Sequence, residues 1–280
     1  MGRIAKSILL SPQCKAGVDW LEDHLPLLKK WHRFEYEQHF ERVYQWQRMF
    51  SGAWPSFEAA EKAIPAGRAA GFDHLETATF LGQKAGLCAS DYPVIYWLRE
   101  LIRPTTRIFD FGGYNGISYR SYAPLLHYPD GLEWTVYDVP AVVAVAKRKQ
   151  KERPSTGEKH LHFTDKLEDA NNVGIFLASG SLQYCKETLT GLIQSLTTRP
   201  TYILLNKLPL TEGPAFVTLQ NIGPAVAPYK VFNAAEFTGE IRALGYRTVD
   251  TWNNPDFSCY VPFHPDRTVK EFTGMLLCLE

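Results

Sequence analysis

From Arg107 to the end, the chain alternates short apolar strands with helical segments, and this alternation constrains its fold more than any other feature. "RIFDF" (107–111), "LEWTVYDV" (132–139), "HLHFTD" (160–165), "VGIFLAS" (173–179) and "TYILLN" (201–206) read as strands. "AVVAVAKRKQ" (141–150), "KETLTGLIQSL" (186–196) and "NAAEFTGEIRALGY" (233–246) read as helices, the last capped by Asn233 with Glu236 in the capping-box position and stopped by Gly245. "YRTVDTW" (246–252) and "FTGMLLCL" (272–279) then supply two closing strands. Strands separated by helices of this length form parallel pairs with right-handed crossovers. The expected core is a doubly wound α/β sheet of seven strands.

The segment before it has a different texture. Between residues 15 and 105, helix formers mix with aromatics: Trp20, His24, Leu27, Leu28 and Trp31 recur at helical spacing, as do Tyr36, Phe40, Val43 and Tyr44. Such a stripe serves helix packing, or a cap over a substrate site. "SGAWPS" (51–56) reads as a break, after which Ser56 caps a helix from Phe57 to about Ile64; a further helix runs from Tyr92 to Leu101 and stops before Pro104. The expected division is a helical extension over 1–104 and the α/β domain over 105–280. With 280 residues, the chain buries roughly three quarters of its unfolded surface and needs no disulfide or metal to hold it.

Thirty basic residues balance thirty acidic ones, which disfavours a nucleic-acid binder working through a general positive field. "KRKQKERPSTGEK" (147–159) reads as a solvated helix end and loop. No apolar run reaches the ~18 residues of a membrane span, and "MGRIAKSILLSPQ" has no proper signal-peptide core, so a cytoplasmic location is expected. Cys14, Cys88, Cys185, Cys259 and Cys278 are far apart and none pairs with a histidine at zinc spacing, so inert thiols and no metal site are expected. A homodimer stays open.

The chemistry concentrates in "IFDFGGYNG" (108–116). Glycines at 112, 113 and 116 let a backbone turn tightly and approach a ligand, and Asp138, ending the next strand, suits two ribose hydroxyls. A dinucleotide turn would make room for a pyrophosphate. This one begins with Asp110, whose carboxylate would repel a pyrophosphate but suits the ammonium of an amino-acid moiety. S-adenosylmethionine carries both ribose and ammonium. Asp165, at the end of the third strand, serves either the adenine amino group or a helix cap. Ser179, Gln183 and Tyr184 follow the fourth strand, Asn206 and Lys207 end the fifth, and Gln220 and Tyr229 lie in a long insertion that would shape the acceptor pocket. Loop structure is the plainer reading of each, and no histidine stands out as a base.

"IFDFGGYNGISY" resembles the D-F-G-G-x-x-G-x-S-Y motif of a family of bacterial class I methyltransferases associated with polysaccharide and O-antigen biosynthesis loci. "FSGAWPSFEAAEKA" (50–63), "AGFDHLETATFLGQK" (70–84), "NKLPLTEGPAFVTLQNIG" (206–223), "PYKVFNAAEF" (228–237) and "LGYRTVDTW" (244–252) resemble its flanking signatures. The resemblance covers roughly 50 to 280. It implies a Rossmann-like, seven-stranded sheet with an antiparallel seventh strand, S-adenosylmethionine as cofactor, and O-methylation of a sugar or glycolipid precursor. Asp110, Gly112, Gly113, Gly116, Asp138, Asp165 and Ser179 would then hold the cofactor. Gln183, Tyr184 and Gln220 are candidates for the catalytic side. Tyr114 departs from class I enzymes in general, where the middle of the turn holds glycine. A nucleotide-dependent oxidoreductase and a non-catalytic binding protein on the same fold are the alternatives.

Overall fold

The computed structural model describes residues 26–42, 49–80, 86–152 and 156–280. Trp20, His24, Val43, Tyr44, Trp46 and Cys14 lie outside them. The chain divides into two compact units, 1–43 and 44–280. In the first, α1 (Pro26–Arg42) carries Trp31 and Phe34 exposed.

The second unit opens with β1 (Met49–Trp54), α2 (Phe57–Lys62), β2 (Ala69–Ala70), α3 (Leu75–Phe80) and α4 (Tyr92–Leu101). Ser56 caps α2 by accepting from the Ala59 amide at 3.2 Å, as its sequence position predicts. The α/β part follows: β3 (Arg107–Phe111), α5 (Ile117–Tyr122), β4 (Glu133–Tyr137), α6 (Pro140–Glu152), β5 (Leu161–Thr164), β6 (Ile175–Ser179), α7 (Leu189–Gln194), β7 (Tyr202–Leu208), β8 (Leu210–Thr211), β9 (Phe216–Asn221), β10 (Ala225–Asn233), α8 (Ala234–Ala243), β11 (Tyr246–Asn254) and β12 (Phe272–Leu279).

Seven strands form one sheet in the order β11-β12-β7-β6-β3-β4-β5. β3, β4, β5, β6 and β7 pair in parallel, while β12 runs antiparallel to β7 and β11. This is the Rossmann-like sheet with a reversed last strand, and strand order switches direction between β3 and β6, where ligands of open α/β sheets bind. Alternate residues feed the two faces. Phe109, Phe111, Phe176, Ile203 and Met275 pack against α7 and α8. Ile108, Trp134, Val136, Leu177 and Leu204 pack against α4, α5 and α6. Period-2 alternation therefore sends the carboxylate of Asp110 inward, beneath α5.

A second sheet, β1-β9-β10-β2 with β8 also on β10, changes the expectation for the flanking segments. "SGAWPS" is no simple break: Met49–Trp54 is a strand paired antiparallel with β9, Phe50 opposite Gln220. Gly52 and the Trp54 indole explain the deception. At φ +69° Gly52 bends the strand so far that a Cβ there would lie 2.1 Å from the indole, and the register slips between Ser51 and Trp54. The long insertion is likewise ordered, as the β9–β10 hairpin.

Candidate functional site

The turn after β3 is a backbone construction. The Gly112 amide donates to Tyr137 O at 2.8 Å, and those of Gly113 and Gly116 to Asp110 O and Gly113 O at 3.3 and 3.0 Å. Gly112 sits at φ +67°, where a Cβ would lie 2.3 Å from that of Ser181. The Ser181 hydroxyl donates to Phe111 O at 2.5 Å and ties the loop after β6 to the turn. Beside Gly113 stands Asp110, whose Cγ would be 2.5 Å from an added Cβ. No side chain fits at either position without displacing a neighbour.

Tyr114 adopts a left-handed conformation at φ +57°, which a tyrosine takes only when the surroundings compel it. Its amide donates to Asp138 Oδ2 at 2.9 Å, and its hydroxyl donates to Ala78 O in α3. The phenol thereby ties the turn to α3, which packs on α6 through Ala78, Val142 and Val145.

Two acids differ from ordinary carboxylates. Asp110 is 1% exposed and accepts from Trp134 Nε1 at 3.1 Å. Burial and the nearby charge of Asp138 push it up to about 7 against that hydrogen bond. Asp138 accepts from the Val139 amide at 2.8 Å as well as from Tyr114. Burial, with a contribution from Asp73, still raises it to about 6 against those two amides.

Two cavities open at the carboxyl ends of β3, β4, β6 and β7. The smaller, about 340 Å³, is bordered by Asp110, Gly112, Gly113, Ser118, Ser121 and Tyr122, with Cys88 and Asp91 from the start of α4. The larger, about 710 Å³, is bordered by Tyr137, Asp138, Gln183, Tyr184, Gln220 and Tyr229, and by Phe50, Phe72, Phe257 and Phe272. Gly112, Tyr114, Ile117, Ser179, Lys207 and Phe257 border both.

The sequence candidates therefore divide. Asp110 and Gly113 reach the smaller cavity, Gly112 and Ser179 reach both, and Asp138 reaches the larger. Gly116 borders neither and serves the turn, at φ +82° against Leu161. Asp165 also borders neither, lying exposed beyond β5; Tyr137, which borders the larger cavity, stacks on Phe111 at 5.1 Å. Asn206 is fully occupied. It donates to Ser90 O and Ser179 Oγ at 3.0 and 3.3 Å, and accepts from Trp252 Nε1 and Asn254 Nδ2 at 3.1 and 2.9 Å. Gln183, Tyr184, Gln220 and Tyr229 gather on one wall, with the Tyr184 hydroxyl donating to Gln220 Oε1.

Asp91 escapes sequence reading because its partners Tyr122 and Lys207 are distant in sequence. Its side chain makes no cap to α4. Instead it accepts from the Cys88 amide at 3.0 Å, from the Tyr122 hydroxyl at 3.2 Å and from Lys207 Nζ at 2.7 Å. Burial pushes its carboxyl up, but the charge and hydrogen bond of Lys207, with those from Cys88, outweigh it and hold the group below the usual range.

No protein-family model matches this chain, and no curated protein does. Among solved structures, the Burkholderia thailandensis 1,6-didemethyltoxoflavin-N1-methyltransferase, crystallised with 1,6-didemethyltoxoflavin and S-adenosylhomocysteine, is 15% identical over 69% of this chain and 79% of its own, at a TM-score of 0.44. The glycopeptide N-methyltransferase MtfA, complexed with S-adenosyl-L-homocysteine, is 12% identical over 74% of this chain and 99% of its own, at 0.47. The CcbJ methyltransferase of Streptomyces caelestis is 11% identical over 75% and 98%, at 0.48. At such identities the likenesses carry nothing about activity, and the description of the sheet rests on this chain's own strand ladders.

Proposed function

We propose that this chain is an S-adenosylmethionine-dependent methyltransferase that methylates a hydroxyl of a sugar or glycolipid precursor of a surface polysaccharide, in the cytoplasm. The observation that carries the reading is the junction of two unlike cavities at the switch point of the sheet. The smaller is polar and acid-lined, the larger aromatic.

The residues fit the cofactor. Asp110 and the hydroxyls of Ser118 and Ser121 suit an amino-acid group, and Gly112 and Gly113 keep Cβ atoms out of the cradle. Both Asp138 oxygens are oriented by backbone amides and retain lone pairs for a ribose diol. Bound there, the cofactor supplies an already activated methyl group. What is left to the chain is to align an acceptor and exclude water. Phe50, Phe72, Tyr184, Tyr229 and Phe257 present flat apolar faces, which suit sugar rings and lipid-linked groups. Phe50 and Phe72 precede residue 105, so the segment assigned to an extension over 1–104 contributes to the acceptor wall as a strand and a loop.

Calorimetric titration tests the reading. S-adenosylhomocysteine should bind with one-site stoichiometry and NAD should not. Binding of NAD, or of neither, overturns it.

A further inference from the structure

Gly180 follows β6 in a left-handed conformation, φ +75°, and two polar side chains flank it. A Cβ at Gly180 would lie 3.6 Å from the Lys207 stem and 3.8 Å from Gln183 Nε2. Gln183 is 3% exposed and borders the larger cavity, and among the described residues no donor reaches its Oε1. A buried carbonyl oxygen without a partner is costly and points to a ligand.

Lys207 stands on the other side, left-handed at φ +58° although it lies within a strand. Its side chain is 17% exposed and pairs with Asp91; its Nζ lies 5.2 Å from the Phe257 ring centroid. An ammonium carries three donors, and among the described residues Asp91 is its only hydrogen-bond acceptor. Asp91 also cancels its charge, so the pair offers no net attraction to a phosphate or carboxylate, and a protonated amine has no lone pair with which to accept from the ammonium.

We propose that Gln183 and Lys207 form a specificity-determining pair that docks a neutral acceptor hydroxyl, Gln183 Oε1 accepting its O–H and Lys207 Nζ donating to its oxygen. A hydroxyl held this way keeps one oxygen lone pair free, the requirement for a nucleophile. This assignment rests on the methyl-transfer reading only in calling the docked group an acceptor; the docking itself is testable alone.

The test uses the full chain and calorimetry with p-nitrophenyl hexopyranosides and their amino-deoxy counterparts, with and without S-adenosylhomocysteine. The hexosides should bind, and the amino compounds at least tenfold more weakly at neutral pH. Gln183→Leu should lose at least tenfold in hexoside affinity yet keep S-adenosylhomocysteine affinity within twofold. Gln183→Glu, which keeps acceptor oxygens, should retain most of the binding. The double variant Asp91→Asn/Lys207→Met, which leaves no orphaned charge, should also lose about tenfold. Absence of hexoside binding to the unaltered chain, equal affinity for the amino compounds, or an unchanged Gln183→Leu overturns the proposal. Should the hexoside pattern hold while S-adenosylhomocysteine fails to bind, the hydroxyl site stands and the methyltransferase reading falls.

Discussion

The two walls of the site are built by opposite means. The wall proposed for the cofactor is shaped by backbone from two short segments, 110–117 and 137–139, locked by main-chain hydrogen bonds and the two Asp138 contacts, with the Asp110 and Asp138 carboxylates set into it. The wall proposed for the acceptor is made of side chains brought from across the chain. Its rings form an edge-to-face series, Phe50 on Tyr229 at 5.0 Å, Tyr229 on Tyr184 at 5.1 Å, and Tyr184 on Phe72 at 4.8 Å. A backbone wall fixes one ligand shape and fails when any atom is added. A ring wall depends on volume and can be retuned one side chain at a time.

The largest effect should come from adding one carbon to the first wall. Gly112→Ala forces a side chain at φ +67° into the Cβ of Ser181. Strain and overpacking together predict a loss of about 4 kcal/mol in urea unfolding, with cofactor binding abolished. A stable variant that binds S-adenosylhomocysteine would show the wall to be adaptable after all. Next, Asp138→Ala removes the proposed ribose acceptor and the anchor of the Tyr114 amide. Cofactor affinity should fall by about 3 kcal/mol, read by calorimetry, and unchanged affinity would move the ribose elsewhere.

pH separates the walls without mutation. Asp110 and Asp138 are raised to about 7 and about 6 in the folded chain, so below those values a ligand ammonium must displace a proton from Asp110, and a ribose diol meets a protonated Asp138. S-adenosylhomocysteine affinity should be highest above pH 7 and fall by up to about a hundredfold, or about 2.7 kcal/mol, on lowering the pH to 5. The stability of the free protein runs the other way. Carboxyls with raised folded values bind more protons folded than unfolded, so their contribution is full below about pH 4 and is lost as pH rises through 6 and 7. Asp110→Asn should flatten that slope in denaturant titrations at pH 5 and 8 and weaken the pH dependence of binding. An unaltered slope would mean that other groups carry it.

The same contrast decides what could be read from the sequence. β3 and β12 match their predicted limits, and the turn lies in one stretch of nine residues, 108–116. Such features are local: apolar runs, glycines and a strand-end acid declare themselves to their neighbours. The ring wall does not. Phe50 faces the site because β1 pairs with β9, more than 150 residues away, and Gly52 and Trp54 disguise that strand as a turn. Asp91 gives no local signal because its partners Tyr122 and Lys207 are distant in sequence, and Asn206 stands out by its strand-end position although its neighbours use it up entirely. Asp165 had the right position in the strand order, yet its side chain lies exposed outside both cavities.

The smallest expected effect is the sharpest test of independence between the walls. Tyr184→Phe keeps the ring that meets Phe72 and Tyr229 edge to face and deletes only the oxygen. That oxygen donates to Gln220 Oε1, and Gln220 is buried in β9 opposite Phe50. Its carbonyl then loses a donor, which predicts about 1 kcal/mol of destabilisation in urea unfolding, against the 3 kcal/mol or more that truncating a packed ring to alanine would cost. None of this touches the glycine turn, Asp110 or Asp138, so S-adenosylhomocysteine affinity should stay within twofold by calorimetry. A parallel fall in cofactor affinity would show that the loop after β6, tied to the turn through Ser181, transmits strain between the walls, and the division into a backbone wall and a ring wall would fail.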